Sequence, residues 1–272
     1  MFIMELLEPF YYPFMQRALI AGIFLGALLA SLGIFATLKK MAFFGEGIAH
    51  ASLAGIAIAI LAGLAPLPIA ILWAMFTGFL IFLLERKTHL PSDTLIGILF
   101  TSSMALGIVL MSFTNGYQPE LLSFLFGSIL GVRNFDLFII VIAATAILIW
   151  LFKSLRELTY LSLNEESAEV SGVHSETKTF VFYMSLSIAT VLGVKILGII
   201  LVSALLIIPP ATSRLLTSTF RSYILGSIIA SEIAVVGGLL SSYWLDIPSG
   251  ASVVLFAATC FFIAISIPRK RT

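Results

Sequence analysis

Apolar residues fall in long, nearly unbroken runs along this chain, and polar residues collect in short intervals between them. The runs cover 15–38, 48–64, 66–84, 94–113, 134–152, 179–197, 198–218, 222–243 and 249–267. A helix needs about 20 apolar residues to cross the hydrocarbon core of a bilayer. The pattern therefore predicts an all-α polytopic membrane protein of about nine transmembrane helices, with eight as the alternative. The stretch 179–218 fits either two short helices or one span followed by a broken, partly re-entrant element. Residues 1–272 read as a single transmembrane domain. The longest polar interval, 153–178, is too short to be a soluble domain, and no internal repeat is visible.

Composition supports the same class. Hydrophobic residues make up 60% of the chain and charged residues 11%, against about 45–50% and about 25% in soluble domains. The net charge of +1 excludes a nucleic-acid binder that works through a broad basic field. The single cysteine, Cys260, excludes a disulfide framework, a thiolate zinc cluster and a CxxC redox pair. Residues 1–14 carry Glu5 and Glu8 and lack a basic start, so no signal peptide is expected there.

Basic residues set the expected orientation. Lys39, Lys40, Arg86, Lys87, Lys153, Arg156, Lys178, Arg214, Arg221, Arg269, Lys270 and Arg271 all fall on one side if nine spans alternate. Arg17, Arg133 and Lys195 fall elsewhere, with Glu5, Glu8, Glu120, Asp136 and Asp246 on the opposite side. The expectation is an N-terminus outside and a C-terminus in the cytoplasm, in a prokaryotic plasma (inner) membrane.

Within the cytoplasmic interval, residues 162–174 predict a short helix. Ser162 or Asn164 can cap its start, Glu165 and Glu166 suit its first turn, and Gly172 can end it. Such a helix could dock on a partner or be a solvated connector. The chain has no G-x-x-x-x-G-K-[ST] loop. If ATP drives this protein, the ATPase is a separate polypeptide.

Three histidines occur: His50, His89 and His174. The last two belong to loops and read as solvated surface. His50 lies inside an apolar segment, four residues after Glu46, so the two share one helical face. If a helix began directly after Lys40, His50 would stand roughly 15 Å along it, near the bilayer middle. An intramembrane carboxylate and imidazole are costly unless they face a cavity or partner, and together they suit zinc, manganese or iron. One Glu and one His are too few for a closed site; a two-fold homodimer would double them. The other reading places Glu46 at a helix N-terminus and makes His50 an interhelical bond. Glu232, near the middle of the eighth run, is a second pathway candidate, and Lys195 is expected to snorkel. Pro209 and Pro210 interrupt an apolar run and suit either the wall of a gated pathway or a kinked packing helix.

The segments Gly45–Gly55, Gly198–Ser213 and Leu240–Ser252 together resemble the permease subunit of bacterial zinc/manganese/iron ABC importers, and the likeness runs over nearly the whole chain. The resemblance implies a homodimer in the lipid bilayer with two cytoplasmic ABC ATPase subunits and an extracytoplasmic metal-binding protein. It implies no permanently bound cofactor, a transported divalent metal, and ATP on the partner. It further implies that Glu46 and His50 line the metal pathway, and that the region of Glu165, Glu166, Ala168 and Gly172 is the coupling helix. The chain departs from the family in carrying Glu46 where Asp is more usual. The expected function is therefore a non-catalytic permease subunit. The alternative is a secondary metal/proton carrier or channel not driven by an ATPase, in which Glu46, His50 and Glu232 would shuttle protons. A membrane-embedded hydrolase is disfavoured, because no nucleophile–base pair with an orienting group stands out.

Overall fold

The computed structural model describes residues 8–88, 90–114 and 132–267. Glu5, His89, Glu120, Arg269, Lys270 and Arg271 lie outside the described residues. Among these residues eleven α-helices follow in order: α1 Pro13–Leu38, α2 Phe44–Leu61, α3 Pro66–Thr88, α4 Ser92–Met111, α5 Asn134–Lys153, α6 Leu155–Leu163, α7 Glu165–Val170, α8 Ser175–Leu197, α9 Ile199–Leu216, α10 Phe220–Leu245 and α11 Ser249–Ser266. Among the described residues nine of these are long and apolar enough to cross a membrane. They coincide with the nine apolar runs.

The stretch 179–218 is two helices. Gly198, at φ +78°, makes the single-residue junction between α8 and α9, a backbone shape that glycine adopts without a Cβ penalty. The break therefore lies at Gly198, and α9 runs on through Pro209 and Pro210 as one helix. The polar interval also holds one more helix than expected. Leu155, Leu158 and Leu161 recur every three residues and give α6 an apolar stripe, with Leu158 and Leu161 buried. The short helix expected over 162–174 is confined to α7, since Ser162 and Leu163 belong to α6: Asn164 is the cap, its Oδ1 accepting from the Ser167 N–H at 2.8 Å, and Gly172 adopts φ +81° beyond the end.

Helices α1, α2, α8 and α9 form the interior, while α3, α4, α5, α10 and α11 pack around them. The central crossing is α1 on α9. A Cβ placed on Gly33 would stand 2.0 Å from the Leu206 carbonyl oxygen, so only glycine fits there. Pro210, four residues after Leu206, has no N–H to offer that carbonyl. The close approach of α1 thus covers the carbonyl that Pro210 leaves free. Both prolines are buried.

Candidate functional site

Helix α2 carries the predicted pair on its outward side. Glu46 is exposed and His50 partly exposed, whereas Gly45, Gly47, Ile48, Ala49, Ala51 and Ser52 are buried. Because α2 begins at Phe44 after a turn in which Lys40 takes φ +58°, His50 stands only about 9 Å along it. The pair is consequently nearer the membrane boundary than a helix starting at Lys40 would place it. His50 Nδ1 lies 2.9 Å from the Glu46 carbonyl oxygen. That oxygen can only accept, so Nδ1 is the donor in this contact, and it is Nε2 that this contact leaves unused. The Phe100 ring of α4 meets the imidazole edge-on at 5.2 Å and limits its rotation.

Several contacts fix α2 from behind. Ser103 of α4 donates to the Ala51 carbonyl at 3.0 Å and accepts from Trp73 Nε1 of α3 at 2.7 Å. This ties three helices together one residue beyond His50. The Leu206 side chain of α9 packs over Gly45, 3.7 Å from where a Cβ would stand. The residue that supplies the carbonyl under Gly33 thus also supports α2 beside Glu46. A rigid backing of this kind holds ligand geometry better than a loop could. Among the described residues no group of three His, Cys, Asp or Glu side chains that could hold a metal ion converges, so Glu46 and His50 stand one helical turn apart without a third such group beside them.

A second polar cluster gathers on the basic face, where the ends of α1 and α3 meet α7 and the start of α8. Arg86 reaches Glu165 of α7 at 3.5 Å and Glu176 of α8 at 3.2 Å. Ser92 donates to Glu85 Oε1 at 2.5 Å, and the buried Tyr183 hydroxyl donates to Glu85 Oε2. Lys39 Nζ donates to Thr179 at 3.5 Å, and burial lowers its ammonium below the ordinary lysine range, against the opposing pull of Glu165 and Glu85. Lys178 pairs with Glu157 of α6. Exposed pairs such as Arg86–Glu176 are worth about 0–1 kcal/mol each, so the buried Tyr183–Glu85–Ser92 group is the firmer part.

The remaining sequence candidates fall elsewhere. Glu165 and Gly172 are exposed, as is Val170 beside them, while Ala168 is fully buried and anchors α7 to its own chain. His174 is exposed, as expected. Lys195 does not simply snorkel: its Nζ pairs with Asp136 of α5 at 2.5 Å, and Arg133 approaches the same carboxylate at 3.8 Å. Glu232 sits on α10 against α1, where a Cβ on Gly26 would stand 3.5 Å from its Oε1. Both Glu232 oxygens are enclosed without a hydrogen-bond partner, and it does not join Glu46 and His50 in one cluster. Sequence reasoning missed Glu85, Ser92 and Tyr183. Their only signal was a carboxylate at the end of an apolar run, which reads as interfacial.

Comparison with known proteins places this arrangement. Residues 11–267 match the ABC 3 transport family. The chain is 31% identical, over 91% of its length and 95% of the relative's, to the high-affinity zinc uptake system membrane protein ZnuB of Haemophilus influenzae. It is 33% identical, over 93% of its length and 90% of the relative's, to the manganese transport system membrane protein MntC of Listeria monocytogenes. Among solved structures it is similar to PsaBC from Streptococcus pneumoniae in complex with Fab, with a TM-score of 0.85 and 31% identity over 99% of this chain and 97% of that one.

Proposed function

This chain belongs to the ABC 3 transport family, and from that premise we propose that it is the permease subunit of an ATP-driven importer of a divalent transition metal: zinc, manganese or iron. The observation that carries the reading is the outward side of α2, which presents Glu46 and the Nε2 of His50 away from the chain's own core. A homodimer about that side would bring two carboxylates and two imidazoles to one axis, a donor set suited to these metals. Single-chain ligation stays incomplete, which favours release as well as capture.

In this reading the basic face is cytoplasmic, with the N-terminus outside and the C-terminus inside. An extracytoplasmic binding protein delivers the ion to the outward-open dimer. Two separate ABC ATPase subunits engage α7 through Glu165, Glu166 and Gly172, and their closure switches access across the membrane. Chemistry on ATP belongs to those subunits. We assign Pro209 and Pro210 to helix packing, because both are buried at the crossing with α1. Glu232 remains the candidate for proton movement under the rival reading of a secondary carrier.

The test is uptake of Zn, Mn, Fe, Co and Ni by cells carrying the chain and its partner genes, with and without a Walker-lysine substitution in the ATPase. ATPase-dependent accumulation of one of these metals is the expected result. Uptake that ignores the ATPase substitution would establish the carrier instead.

A further inference from the structure

The basic-face cluster does more than hold α7 in place, because it forms a continuous path from α7 to the start of α2. Glu165 of α7 meets Arg86. The next residue back, Glu85, accepts from the buried Tyr183 hydroxyl. The Tyr183 ring stands edge-on to Phe44 with centroids 5.5 Å apart. Phe44 is itself fully buried, opens α2, and precedes Glu46 by two residues. Phe82 closes the path from the side, 6.0 Å from the Tyr183 ring and with the Arg86 guanidinium 4.9 Å above its own face. Beside these groups lies a cavity of about 510 Å³ lined by Lys39, Glu85, Arg86, Glu165, Glu169 and Thr179. It leaves room for α7 to shift against the membrane helices. Of the links, only the Tyr183–Glu85 bond joins α8 to α3 through a fully buried side chain.

We propose that Tyr183 is a positioning residue that, through Glu85 and Arg86, delivers displacement of α7 to the N-terminal turn of α2 and so to Glu46 and His50. The proposal rests on the reading of α7 as the ATPase-docking helix. A bistable element needs a stiff connection to transmit a small shift. An aromatic ring wedged against Phe44 and hydrogen-bonded to a carboxylate supplies one.

Tyr183→Phe tests this, since it keeps the ring on Phe44 and Phe82 and removes only the hydroxyl. The reporter is Phe43→Cys, at a position whose native side chain is 59% exposed, in a Cys260→Ser background. Its maleimide labelling is followed in the assembled complex with the ATPase in lipid nanodiscs, with and without ATP. The expected result is an ATP-dependent labelling rate in the parent complex that Tyr183→Phe abolishes while ATP hydrolysis persists. Metal moved per ATP in proteoliposomes should then fall about tenfold, the worth of a hydrogen bond to a charged group. An ATP response that Tyr183→Phe leaves unchanged, or a parent complex whose Phe43 site never responds to ATP, would overturn the proposal. If Tyr183→Phe fails to assemble, Glu85→Gln is read in the same way, because it keeps the shape and weakens the same bond. A complex that shows the ATP-dependent labelling yet moves no metal would remove the metal-importer reading and leave the relay standing.

Discussion

Helices α2 and α9 both looked like pathway elements, one for its Glu–His pair and the other for its adjacent prolines, and the fold uses them in opposite ways. The unusual residues of α9 point inward. Pro209 and Pro210 are buried, and the carbonyl freed by Pro210 lies under Gly33 of α1. The unusual residues of α2 point outward, away from the core that grips its other side. A backbone irregularity turned into the core is held by its packing, whereas a polar pair turned out of it stays accessible beyond the chain's own core. Glu232 falls between the two, enclosed but unpartnered.

Four variants break or sharpen that contrast. Gly33→Ala should have the largest effect, since its Cβ would meet backbone rather than a movable side chain. It should cost at least the upper end of the ~1–3 kcal/mol typical of overpacking, read as loss of monodisperse protein on size-exclusion chromatography. His50→Ala should leave folding and ATPase association intact. Its metal transport should fall by at least the ~10–100-fold that losing an outer partner of a metal ligand costs; normal uptake would remove His50 from the pathway. Substituting Glu165 and Glu166 with Lys should detach or uncouple the ATPase in a pull-down paired with uptake, and retained coupled transport would make α7 a plain connector. Glu232→Gln should do least. Removing an unpaired carboxylate from an enclosed site is neutral to stabilising, so thermal stability should hold or rise and uptake should change less than about twofold. A large loss of uptake would move Glu232 onto the pathway.

The legible and the hidden parts of this fold differ by the range of the interaction that sets them. Nine spans could be read directly because each needs only a local apolar run, and α7 because its cap and its terminal glycine lie within nine residues of one another. Glu46 and His50 could be paired because they are one helical turn apart. The outward direction of that face could not be read, since α2 is apolar on nearly every side. Nor could the partners of Tyr183 and Lys195, which lie 98 and 59 positions away. The approach of Gly33 to Leu206 was hidden for the same reason, although the glycine and the prolines were each visible alone. Helix α6 escaped because its leucine stripe is shorter than a span and is embedded in polar sequence.

The central claim is that the outward side of α2 holds the transported metal. X-ray absorption at the metal edge of the purified, metal-loaded complex tests it most directly, comparing the parent protein with His50→Ala. The account predicts nitrogen and oxygen ligation with an imidazole scattering signature that His50→Ala removes. An unchanged spectrum, with metal still bound at the same stoichiometry, would contradict it.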